Sequence, residues 1–113
     1  MRALVDLLYS LSMSKPQSLF AGVIGTRVFR VWRGYRSVFF LECGREVNKR
    51  KGAYTVGFDY CPWRILQDGR ELVSGNSSLV DIDIQIQKLL DATIMDIHLS
   101  PKKDRTKLRF GSN

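Results

Sequence analysis

The sequence predicts an α+β domain, a single unit over residues 1–113, built on an antiparallel sheet of about six strands with two or three helices. Three observations predict it. Short runs rich in β-branched and aromatic residues, Val28-Phe29-Arg30-Val31-Trp32 and Val38-Phe39-Phe40-Leu41 among them, are punctuated by glycine-bearing turns. Other stretches repeat leucine or isoleucine at helical spacing. A weak internal repeat links the two kinds: Val23 to Val31 aligns with Leu89 to Ile97 at a constant offset of 66, so each half reads as a helix feeding an antiparallel hairpin. With 44% hydrophobic and 26% charged residues, the chain carries the apolar content of one packed core, which excludes wholesale disorder and fibrous repetition.

At the N-terminus, Leu4, Leu7, Leu8 and Leu11 stand at helical spacing and Pro16 closes the stretch, predicting an amphipathic helix over residues 2–13. The leucine stripe needs a cover, which is either this domain's own sheet or a partner surface in a dimer. Met13 offers an alternative start, so the N-terminal helix within residues 1–15 is expected to be dispensable. The apolar stretch from Ala3 to Met13 is interrupted by Asp6, lacks a small-x-small cleavage site, and is too short and too polar for a membrane span.

Leu19, Phe20, Val23 and Ile24 predict a short helix ending at Gly25. A hairpin follows, with its turn around Arg33-Gly34-Tyr35. Residues 44–53 hold four basic side chains between two glycines and read as an exposed loop. Tyr54, Val56 and Phe58 alternate with polar or small residues as a half-buried strand does. Trp63-Arg64-Ile65-Leu66 and Glu71-Leu72-Val73 flank Asp68-Gly69, a pair that tolerates positive φ at both turn positions. Ser78 to Asp81 has the form of a helix cap, and Leu79, Ile82, Ile86, Leu89 and Leu90 predict a helix over about 79–91. Thr93 to Leu99 and Leu108 to Phe110 make a closing hairpin. In the repeat, Val38 and Phe40 then match Leu108 and Phe110 if the second turn is four residues longer.

The formal net charge of +7 favours anionic partners and is distributed unevenly. Residues 27–51 carry eight basic and two acidic groups, residues 68–96 two basic and six acidic, and residues 102–109 five basic and one acidic. This predicts a dipolar molecule able to attract a polyanion, or to pair with another copy of itself. Arg27, Arg30, Trp32, Arg33, Tyr35 and Arg36 interleave guanidinium and aromatic groups, which suits single-stranded nucleic acid, phosphates on the arginines and bases on the rings. Arg33 to Phe40 half-matches an RNA-recognition signature, but Arg36 and Ser37 stand where a small residue and a stacking Phe belong.

Catalytic signals are sparse. Cys43 and Cys61 show no C-x-x-C spacing and read as reduced thiols of a cytoplasmic protein. His98 has Asp96 two positions away on one predicted face, and either cysteine is a conceivable nucleophile beside it, though the spacing does not require the pair. No P-loop, serine elbow, dinucleotide fingerprint or metal-ligand spacing is present, so neither cofactor nor metal is expected.

Val23, Gly25, Val28 and Val31, the Trp63-Arg64-Ile65 strand with Asp68-Gly69 behind it, and the closing Leu108-x-Phe110-Gly111-Ser112-Asn113 resemble small uncharacterised bacterial proteins found in mobile gene cassettes or beside toxin genes. The resemblance spans residues 19–113 and implies an immunity-like binding role without catalytic residues. In such proteins the chain continues past Gly-Ser-Asn, so the final strand is expected to be incomplete. Taken together, the sequence predicts a non-catalytic cytoplasmic module that binds a protein partner or itself, as a homodimer through Leu4, Leu7, Leu8 and Leu11. The alternative is single-stranded nucleic-acid binding.

Overall fold

The computed structural model describes residues 3–7, as backbone, and 21–58, 62–99 and 106–111. In chain order the strands are β1 (Ala3–Leu7), β2 (Val28–Arg33), β3 (Phe39–Asn48), β4 (Lys51–Phe58), β5 (Trp63–Gln67), β6 (Arg70–Ser74), β7 (Thr93–Leu99) and β8 (Thr106–Gly111). Among the described residues, 21–23 are helical and lead to Gly25 at φ 88°, where the sequence predicts a short helix to end; the helix α1 (Leu79–Ile86) continues as a 3₁₀ turn over Gln87–Leu89. The α+β class stands, but the predicted single sheet of six strands does not. The strands divide into a five-stranded sheet, β6-β5-β1-β8-β7, and a three-stranded sheet, β2-β3-β4, with every ladder antiparallel.

A second correction concerns the N-terminus. Residues 3–7, predicted to begin a helix, form β1, the middle strand of the larger sheet, with β5 on one side and β8 on the other. Ala3-Leu4-Val5-Asp6-Leu7 satisfies a period of two as well as one of 3.6, and strand partners on both sides settle the choice. The register places Val5 opposite Ile65 and Leu108, both buried, and Asp6 opposite Arg64 and Lys107. Leu4 and Leu7 therefore occupy strand positions of opposite parity, and the four-leucine helical stripe does not form. Leu8 and Leu11 lie outside the described residues.

Two local signals are met. Asp68 and Gly69 take φ of 53° and 78°, closing the two-residue turn between β5 and β6. Ser78 caps α1, its hydroxyl accepting from the Asp81 amide at 3.2 Å. The segment 44–53 is exposed at most positions, as predicted, yet it is no loop. β3 runs on to Asn48 and β4 starts at Lys51, leaving a two-residue turn at the tip of a ribbon. The turn holds because Arg50 adopts φ 67° and its amide donates to the Glu46 carboxylate at 3.1 Å.

The internal repeat has a structural counterpart. Arg27 and Thr93, related by the offset of 66, bridge to each other. The bonds around them come in exchange-related pairs. The Gly25 amide donates to the Ile94 carbonyl as the Asp91 amide does to that of Val28, both at 2.7 Å. The Val28 amide donates to Ala92 at 2.8 Å as Ile94 does to Thr26 at 2.9 Å. Gly25 and Asp91, equivalent in the repeat, both take positive φ, 88° and 69°. Bulges fall at Val28/Arg30 in one half and Ile94/Asp96 in the other. Leu41 lies between Val31 and Val56 as Leu108 lies between Ile97 and Val5, so β1 stands beside β8 as β4 stands beside β3. A local two-fold axis thus passes through the Arg27–Thr93 bridge.

The same ladders correct the second-strand alignment. Leu108 and Phe110 correspond to Leu41 and Cys43, opposite Val31 and Val28, and the second turn is one residue longer rather than four. The apolar run from Val38 to Cys43 offers the same alternation at several registers, so only the hydrogen-bond ladder distinguishes them.

The core includes residues of both sheets. Phe39 and Phe58 stack at 4.3 Å between centroids, and Trp63 of the larger sheet meets Phe39 edge-on at 4.7 Å. The Trp63 indole also donates to the Ser37 carbonyl at 2.9 Å, so the tryptophan is buried with its polar edge satisfied. Ile82, Ile86 and Leu89 bring the helix into the same core, and the Gln87 amide side chain donates to the Val31 carbonyl at 3.0 Å.

Candidate functional site

One face of the three-stranded sheet is core; the other carries the basic and aromatic side chains singled out in the sequence. Cross-strand pairing puts Trp32 beside Phe40 and Arg30 beside Glu42 and Thr55 on that outer face. Trp32 and Phe40 stack at 4.2 Å with an interplanar angle of 21°, and the Arg30 guanidinium sits 5.1 Å from the Trp32 ring. The rings expected to receive bases are thus packed on each other.

Glu42 is the hinge of this face and is 97% removed from solvent, with a relative exposure of 3%. One carboxylate oxygen accepts from the Gly52 amide at 3.1 Å and the Thr55 hydroxyl at 2.6 Å; the other accepts from the Trp32 indole at 2.9 Å. Burial alone would raise the carboxyl pKa, but the bonds from Thr55, Trp32 and Gly52, with the charge of Arg30, outweigh it and hold the group below its ordinary value. Gly52 is required beside it, because a Cβ there would lie 2.5 Å from the Cys43 carbonyl oxygen and 2.9 Å from its amide nitrogen.

The other arginines of the predicted nucleic-acid set are spread apart and partly neutralised. Arg27 pairs with Asp91, its Nε donating at 3.0 Å. Arg33 forms a two-pronged pair with Asp83 of α1, at 2.5 and 3.2 Å, and also donates to the Arg36 carbonyl at 2.8 Å. This bonding holds the Asp83 carboxyl below its ordinary value and raises Arg33. Tyr35 is 74% exposed at the β2–β3 turn with the Arg36 guanidinium 5.3 Å from its ring. The acidic segment therefore answers the basic one within the molecule, and Arg109 likewise lies 3.8 Å from Asp96.

Of the Cys-His candidates, Cys43 and His98 are not brought together. Cys43 is fully buried, and desolvation, with the charge of Glu42, pushes its thiol up to about 12. His98 is exposed on β7 opposite Lys107, and its neighbour Asp96 faces Arg109. Cys61 lies outside the described residues. Among the described residues, no three His, Cys, Asp or Glu side chains are grouped to hold a metal ion, and no helix is long and apolar enough to cross a membrane.

Two features escaped sequence reasoning. Glu42 was legible only as the one acid in the apolar run Val38 to Cys43. On α1, Val80 and Ile84 fall outside the stripe formed by Ile82 and Ile86, and remain 68% and 58% exposed; Leu79 is 46% exposed. Aliphatic side chains four apart on the solvent side of a short helix are a signal that the periodicity contained. Compared with protein-family models, curated proteins and solved structures, the chain matches none.

Proposed function

We propose that the protein is a non-catalytic, cytoplasmic bacterial interaction module whose first partner is a second copy of itself, docked through the outer face of α1. The observation that carries this is the exposed Val80–Ile84 pair, the apolar centre of a helix face. Asp81 and Lys88, both exposed, flank it seven residues apart. An antiparallel copy related by a two-fold axis near residue 84 sets each Asp81 against the other copy's Lys88, so the face is complementary to itself. The resemblance to cassette-borne proteins supports a binding role of this kind.

The magnitude sets the assay. Covering four aliphatic side chains that are 58–68% exposed contributes about 4–8 kcal/mol, of the same order as the cost of immobilising two bodies. A weak dimer is therefore expected, detected by sedimentation velocity over a wide concentration range. Val80→Asp/Ile84→Asp should yield a monomer at every concentration with an unchanged melting curve. A wild-type chain that stays monomeric at the highest concentration overturns the proposal.

A further inference from the structure

We infer that the β3–β4 ribbon is a docking arm for the phosphate backbone of double-stranded nucleic acid. The structure separates positive charge that is used from positive charge that is not. Arg27, Arg33 and Arg109 each face a carboxylate. Arg45, Lys49, Arg50 and Lys51 are all exposed, and among the described residues none of them forms a salt bridge. All four cluster on one two-stranded ribbon that departs from the core at Gly44, which takes φ 80°, and closes at the Lys49-Arg50 turn. The one acid of the ribbon, Glu46, bonds the Arg50 amide, and Arg30 donates to the Arg50 carbonyl at 3.3 Å, bracing the tip against the sheet.

Three features choose among polyanions. Val47 is the only large apolar side chain exposed on the ribbon, whereas protein interfaces need an apolar centre and are depleted in lysine. Among the described residues the ribbon offers no stacking platform for single-stranded bases, and Trp32 and Phe40 stack on each other. The exposed Tyr35 sits at the far end of ten-residue β3, roughly 30 Å from the tip. A two-stranded ribbon, by contrast, is narrow enough to enter a duplex major groove about 12 Å wide. The ligand is therefore held by its phosphates, and the affinity is governed by counterion release.

The test is fluorescence anisotropy of a labelled duplex of arbitrary sequence, a single strand of the same length, and an acidic protein as charge control, across a salt series. Four phosphate contacts predict a slope of log K against log salt of about −3.6, a loss of roughly 150-fold between 50 and 200 mM salt. Lys49→Glu/Arg50→Glu should abolish binding. Lys49→Gln and Arg45→Gln should each lower the slope by about 1, which keeps the test open if the double variant unfolds. Circular-dichroism melts confirm that the variants fold. Absent duplex binding at low salt, tighter binding of the single strand or of the acidic protein, or variants that bind as well as wild type would each overturn the inference.

Discussion

Glu42→Gln is the most informative single substitution. The side chain keeps its size, but an amide cannot accept from all three donors around it. With its oxygen toward Gly52 and Thr55, its NH₂ opposes the Trp32 indole N–H; flipped, it opposes the Gly52 amide. One buried donor is left unpaired in either orientation, at about 1–3 kcal/mol, and the remaining bonds lose their charge assistance, at about 1 kcal/mol. The expected loss is about 3 kcal/mol at neutral pH, or roughly 12 °C in melting temperature for a chain of this size. Because the folded pKa of Glu42 is depressed, its stabilisation is fully present above the unfolded value near ~4.3 and fades as pH falls through the folded value. The gap between wild type and Glu42→Gln should accordingly be wide at pH 7 and close in acid. Urea unfolding followed by tryptophan fluorescence at a series of pH values measures both. A gap under about 0.5 kcal/mol at pH 7, or one that does not vary with pH, would refute the role assigned to the carboxylate.

Gly52→Ala places a methyl group against the Cys43 backbone, so it should cost about 3 kcal/mol or more and broaden or abolish the thermal transition seen by circular dichroism. Ser78→Ala removes the cap of α1 and should cost about 1 kcal/mol in chemical denaturation, with no change in the far-ultraviolet spectrum of the native state. In a Cys61→Ser background, Cys43 should resist thiol reagents at pH 8 until denaturant is added, since its thiol is buried and pushed up to about 12; fast labelling of the native protein would contradict that placement. A chain begun at Met13 lacks β1 and leaves β5 and β8 without their shared neighbour, so it should lose cooperative melting. Melting like the full chain would show β1 to be dispensable, as the N-terminal segment was expected to be.

The candidate site shows how far local patterning reaches. Arg30 and Trp32 alternate with Val31 on a strand, and that alternation was enough to place them together on one face. It did not reveal that Phe40, arriving from the next strand, would close over the indole, or that Asp83 and Asp91, 50 and 64 positions away, would bind Arg33 and Arg27. A composition that reads as a base-stacking surface became an internally satisfied one.

What the sequence determined by itself were features whose causes lie within a few residues: the Asp68-Gly69 turn, the Ser78 cap, the β2–β3 hairpin, and the repeat through Gly25 and Asp91. Turns, caps and left-handed positions depend on side chains adjacent in the chain, so a linear reading reaches them. Only the tertiary structure decided that the eight described strands divide five and three, that residues 44–53 form a ribbon, and that Ala3–Leu7 is a strand. Five residues compatible with either period have no preference strong enough to choose. The unpaired backbone of β5 and β8, distant in sequence and adjacent in space, makes the choice for them.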